Sequence, residues 1–150
     1  LTQKLVIDDV IFDFATEYYY SHEKIVAAED FKLTEQEYES FKKFALGKDF
    51  EYETYSEKAL EVLKETAERE KYFEDAKSEY EILLKKLTPN KDRDLVKFEE
   101  EIKEFLIDEI VSRYYHQKGR TQASLSKDLF ILKAIETLND KEKYNTILKP

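Results

Sequence analysis

Two histidines, two Ser-x-x-Lys spacings and a surplus of carboxylates are the residues of this sequence that could do chemistry. His22 and His116 are the only imidazoles. A di-metal carboxylate site on facing helices needs Glu-x-x-His, with the glutamate one turn before the histidine. Tyr19 and Arg113 stand at those positions, and no His-Glu-x-x-His occurs, so no metal is implied. Ser40-Phe-Lys-Lys43 and Ser124-Leu-Ser-Lys127 match a nucleophile spacing in which the lysine can take the serine proton. That motif works only with companion Ser-Asp-Asn and Lys-Thr-Gly loops and an oxyanion hole. Neither companion is present. Ser40 falls inside a helical stretch, and helix capping is an adequate role for Ser124. The 34 acidic side chains could supply any carboxylate pair, but on solvated helix faces they need no chemical account. Two isolated glycines cannot build a phosphate cradle, so no cofactor is implied either.

One basic, aromatic island stands out: Arg113-Tyr-Tyr-His-Gln-Lys-Gly-Arg120. Arg113, Tyr114, Tyr115, His116, Lys118 and Arg120 form the candidate interaction surface. A competing role is structural: the cations balance the negative end of their own helix and pack on the acidic half of the chain. The net charge of -9 is unevenly placed between the two halves. Residues 1–75 carry 10 basic and 20 acidic side chains, a balance of -10, while residues 76–150 carry 15 and 14, a balance of +1. An acidic domain is a poor binder of phosphate backbones, so nucleic acid is not the expected partner.

The elements that position these residues are helices. Only two Gly and two Pro punctuate 150 residues, which favours a few long helices over a many-stranded sheet. Charged content of 39% beside 41% apolar content suits amphipathic helices. With no Cys, disulfide frameworks and thiolate zinc sites are excluded, though the compartment is not fixed. No apolar run approaches the ~20 residues of a membrane span. A chain that opens at Leu1 and contains no Met is expected to be a processed form or a piece of something longer.

Apolar spacing predicts a first helix over Gln3–His22, with Ile7, Ile11, Phe14 and Tyr18 inward. Residues 23–33 read as a connection. Thr34-Glu35-Gln36-Glu37 is a capping box, and Leu33 and Tyr38 stand at hydrophobic-staple positions. Tyr38, Phe41 and Ala45 form the buried face of the helix that follows, and Gly47 is expected to end it in the left-handed conformation. Asp49–Tyr55 reads as an extended linker packed on helices. Ser56 is the expected cap of a long segment reaching Leu87, with a coiled-coil-like seam of Leu60, Leu63, Ala67, Phe73, Ala76, Tyr80, Leu83 and Leu87. The step from Ala67 to Phe73 is one short of a heptad, so a bend or break is expected near Glu68–Lys71.

Thr88-Pro89-Asn90-Lys91-Asp92 is a turn in which Asn90 or Asp92 caps the next helix. That helix is predicted over Arg93–Gln117 and antiparallel to the long one. Its stretch Phe105–Tyr115 is apolar on several sides and is therefore expected to be a buried base, with Pro89 at a projecting tip. Gly119 is expected to end it. Ser124 or Ser126 then caps a helix with Leu129, Ile131, Leu132, Ile135 and Leu138, and a short helix with Tyr144, Ile147 and Leu148 follows Asn139-Asp140. The fold class expected is all-α: a helical bundle with a long antiparallel hairpin (about 56–87 and 93–117) and shorter flanking helices, forming a single domain over residues 1–150.

Several stretches resemble a known family. Tyr52-Glu-Thr54, Ser56-Glu-Lys58, Glu109-Ile-Val-Ser-Arg-Tyr-Tyr115, Gly119-Arg120, Ala123-Ser-Leu125 and Leu138-Asn-Asp140 are similar to the C-terminal region of carboxy-terminal-processing (tail-specific) proteases of peptidase family S41, Bacteroidetes branch. Ile11-Phe-Asp-Phe-Ala-Thr16 looks like the start of that region. The family cuts proteins near their C termini with a Ser/Lys dyad beside a PDZ domain, usually in the periplasm. Neither signature is in this chain, so no catalytic role is carried onto any of its residues. The resemblance implies a non-catalytic accessory domain of a periplasmic or cell-envelope serine endopeptidase. Its partners would be the upstream PDZ and protease domains of the same chain, a second protomer or an adaptor, and its role oligomerisation, adaptor docking or substrate access. A free-standing helical protein-binding module is the alternative.

Overall fold

The computed structural model describes residues 1–125 and 128–148, and among these it is all-α, with nine helices and no strand. The first two are α1 (Thr2–Ile7) and α2 (Val10–Ser21). The single helix expected over Gln3–His22 is thus divided. Asp9 adopts φ 57°, a left-handed conformation that Asp tolerates better than most residues. The break rotates Ile7 off the core, and it is 73% exposed.

The capping box forms as expected ahead of α3 (Glu35–Leu46). The Glu37 amide donates to Thr34 Oγ1 at 3.3 Å, and the Thr34 amide donates to Glu37 Oε2 at 2.7 Å. Gly47 ends the helix, but at φ -77° rather than left-handed: its amide reaches back to the Lys43 and Phe44 carbonyls, which closes the helix without a chain reversal. The linker at 49–54 has no regular secondary structure, is extended at Thr54, and packs on the helices through Phe50, which is buried.

The largest correction concerns the hairpin. The long segment breaks where the phase slip placed a bend or break, into α4 (Tyr55–Glu70) and α5 (Phe73–Leu87), but the two helices fold back on each other instead of running on. Lys71 takes φ 66°, its amide donates to Glu68 O, and the Tyr72 amide donates to Ala67 O. Those two bonds are the Schellman pattern that closes a helix with a left-handed residue. The seam read as facing a return helix instead closes on itself, with Leu63 and Ala67 opposite Leu83 and Ala76 across a shared groove. So the antiparallel pairing of 56–87 with 93–117 does not occur, and the projecting tip is Lys71–Tyr72. Thr54, not Ser56, caps α4, accepting from the Glu57 amide at 3.1 Å.

Pro89 is half-buried and leads into α6 (Lys91–Lys97), capped by Asn90 through the Arg93 amide at 2.8 Å. Phe98 leaves helical geometry, and α7 (Glu99–Leu125) follows. The expected return helix is therefore interrupted at Phe98. It is interrupted again at His116, at φ 55° and ψ -154°. A straight helix would hold residues 109 and 120 roughly 16 Å apart along its axis. Arg120 Nη2 nevertheless lies 2.7 Å from Glu109 Oε2, so residues 117–125 run back along residues 104–115. Gly119, expected to end the helix, is buried inside the second arm.

The core gathers α1, α2, α3, α6 and the first arm of α7 around Leu5, Phe14, Phe41, Ile102 and Ile110. Phe14 and Phe41 meet edge to face at 5.2 Å. Leu106, Ile107, Ile110 and Val111 are buried, as expected for the base, while Phe105 is 44% exposed. The Tyr38 hydroxyl, also buried, donates to the Leu95 carbonyl at 2.6 Å. That carbonyl sits at the end of α6, where helical carbonyls lack donors of their own.

The chain then forms α8 (Leu129–Asn139), capped by Asp128, and α9 (Lys141–Leu148), which packs on α8. Of the two serines expected to cap α8, Ser124 lies within α7, and Ser126 lies outside the described residues.

Candidate interaction surface

The island at 113–120 is built where α7 doubles back, and the structure brings three of its six residues against α2 and the 22–26 connection. Arg113 lies over the Phe12 ring at 4.6 Å. Its Nη2 donates to the Phe12 carbonyl and to Thr16 Oγ1, both at 2.8 Å, and its Nη1 donates to Glu109 Oε1 at 2.9 Å. Such a planar fork holds several acceptors in fixed directions, where a lysine offers a single freely rotating ammonium. The Tyr114 hydroxyl donates to the His22 carbonyl at 2.6 Å, and its ring meets Tyr19 at 4.9 Å. The Tyr115 hydroxyl reaches the carbonyls of Ile25 and Val26 at 3.2 and 3.1 Å. Together these bonds fasten a stretch that has no regular structure of its own.

Arg120 binds Glu109 from the second arm. Its Nε also lies 2.9 Å from Asp108 Oδ2 without the alignment of a hydrogen bond, so that contact is ionic. Burial nevertheless pushes the Asp108 carboxyl up, against the pull of Arg120. His116 and Lys118 are exposed on the outer side of the reversal, next to Tyr115. The arrangement can hold helices in place, and it leaves Lys118 exposed at the reversal.

Sequence reading missed a second polar cluster, in a cleft of about 550 Å³ between α2 and α3. The Tyr18 hydroxyl donates to Glu37 Oε1 at 2.6 Å, and the His22 ring stacks on Tyr18 at 3.9 Å. Burial, and then the Glu37 hydrogen bond, raise the Tyr18 phenol above its ordinary range. Desolvation pushes the Glu37 carboxyl up, but the bonds from Thr34 and Tyr18 outweigh it and hold its pKa below the usual range. Tyr18 is therefore a neutral donor and Glu37 a cap-bound acceptor. The capping box was the available signal for Glu37; nothing marked Tyr18 as its partner.

The serines of the two Ser-x-x-Lys spacings are turned toward their own helices. Ser40 Oγ donates to Gln36 O at 3.0 Å and Ser124 Oγ to Thr121 O at 2.9 Å. Lys127 lies outside the described residues.

Residues 1–138 match the protein-family model described as "Probable PDZ-protease, C-terminal helical domain". The chain belongs to this family. No curated protein and no solved structure matches the chain. As a C-terminal helical domain of the PDZ-protease family, it is all-α, with the reversal at His116 and nearly all of α8 inside the matched region. Among the described residues of this PDZ-protease domain, no helix is long and apolar enough to cross a membrane.

Proposed function

We propose that this chain is the non-catalytic C-terminal helical domain of a periplasmic carboxy-terminal-processing serine protease of the S41 type, Bacteroidetes branch. It serves that enzyme through assembly, adaptor docking or control of substrate access. The observation that carries the reading is the family match across residues 1–138. A second fact supports the finer class. Glu109, Arg113, Tyr114, Tyr115, Gly119 and Arg120, which carry much of the S41 resemblance, are the residues from which the α7 reversal is built.

In this reading the outer side of the reversal, with His116 and Lys118, faces the upstream PDZ and protease domains or an adaptor. The purified chain is expected to leave an unstructured protein such as casein intact in a peptidase assay. Hydrolysis that disappears in Ser124→Ala would sink the proposal. The encoding reading frame is expected to continue upstream of Leu1 into a PDZ domain and a Ser/Lys core.

A further inference from the structure

The helix α8 reads Leu-Phe-Ile-Leu-Lys-Ala-Ile-Glu-Thr-Leu-Asn and is apolar on most of its circumference. A helix of that kind is normally covered on several sides. Here no residue of α8 is buried. Phe130 is 89% exposed, Leu129 78% and Leu138 61%, and α9 adds Ile147 at 63%. Exposed apolar patches of this size on otherwise polar chains mark binding surfaces.

We infer that α8 and α9 form a two-fold contact between two copies of this chain, an inference that rests on the assembly role proposed above. Area is the first argument. Eight large apolar side chains between residues 129 and 148 are 40–89% exposed. Together they offer on the order of 800 Å², about the area each partner contributes to a standard stable interface.

Charge is the second argument, and it selects the occupant. Residues 128–148 carry three Lys and four acids, a balance of -1, whereas residues 1–75 carry -10. Two copies meeting through their N-terminal halves would set like charges against each other. Meeting through α8 and α9, they do so at little Coulombic cost. A lipid surface fits less well, because helices that lie on membranes carry a polar face rich in Lys and Arg. The only cation on α8 is Lys133, and it is paired with Glu136 at 2.6 Å. An isologous contact also closes after two copies, which limits assembly to a dimer.

Sedimentation equilibrium of the whole chain across micromolar concentrations tests the inference. The mass is expected to rise from 18.0 kDa toward twice that value. Phe130→Glu and Leu138→Glu, at positions outside the core, are expected to weaken the dimer by roughly tenfold or more each. Their far-UV circular dichroism should stay that of the parent. A mass that stays monomeric, or variants that dimerise like the parent, would overturn the inference. So would a monomeric chain that floats with phospholipid vesicles, which would make lipid the occupant. A monomeric chain without peptidase activity leaves the protease-domain reading standing. A dimer with peptidase activity removes that reading and keeps the dimer.

Discussion

Gly119 packs against Tyr115 so closely that a Cβ at position 119 would sit 2.2 Å from the Tyr115 Cβ and 3.0 Å from Val111 Cγ1. Real side chains do not approach so near, so the two arms of α7 can lie together only over a bare backbone. Gly119→Ala therefore pits two effects against each other. Ala is the better helix former by about 1 kcal/mol. Overpacking costs about 1–3 kcal/mol, and here the obstacle is a Cβ, which cannot swing away. The variant is expected to be less stable than the parent in urea, and an equal or higher midpoint would show that the arms separate freely.

His116 holds that reversal at φ 55° and ψ -154°, close to a region that only glycine occupies easily. Strain of this kind costs about 1–3 kcal/mol, while glycine adds about 0.5–1 kcal/mol of chain entropy to lose on folding. His116→Gly is expected to stabilise the chain by about 1 kcal/mol, the difference between these terms. His116→Ala should bring no such gain, since it keeps the Cβ. Equal urea midpoints for the two variants would mean that the backbone there is relaxed.

Glycine and proline are the residues at which a sequence most readily signals a break. The chain bends left-handed at Asp9, Lys71 and His116, while neither Gly47 nor Gly119 has positive φ. Local chemistry was readable where a side chain must satisfy a specific amide, as at Thr34 and Asn90. Heptad slippage at Ala67–Phe73 located the break before Lys71, but not that the chain reverses there. Whether a seam faces the next helix or its own continuation depends on that one residue's φ. The island at 113–120 was visible as a cluster of cations and rings. Its anchoring of Phe12, Thr16 and the 22–26 connection was not, because those partners lie about 90–100 residues away in sequence.

Tyr38 and Leu95 supply a third test. The Tyr38 hydroxyl is the buried donor to the Leu95 carbonyl, linking α3 to the end of α6. Tyr38→Phe keeps the ring in the core and leaves that carbonyl without its donor. The expected loss is about 1–3 kcal/mol, the cost of an unsatisfied buried polar group. The denaturant slope should not change, because the buried area is nearly the same. A neutral substitution would mean that water reaches the carbonyl.

The last prediction concerns acid. Asp94 is buried at the foot of the α4–α5 hairpin, accepting from the Tyr52 hydroxyl at 2.7 Å, from Arg93 Nε at 2.9 Å and from the Asn90 amide at 3.1 Å. Desolvation pushes its carboxyl up, but the bonds from Arg93, Tyr52 and Asn90 outweigh it and hold the folded pKa below the ordinary value. A depressed carboxyl contributes its stability above the unfolded pKa of about 3.9 and loses it as the pH falls through the folded value. Glu37 is depressed as well, so the parent is expected to weaken below about pH 4. Asp94→Asn should be less stable by about 1–3 kcal/mol at neutral pH, and its gap to the parent should narrow as the pH falls below about 4. Urea midpoints measured over that range decide it: a gap that stays constant would show that the ionised form of Asp94 is not what Tyr52, Arg93 and Asn90 hold.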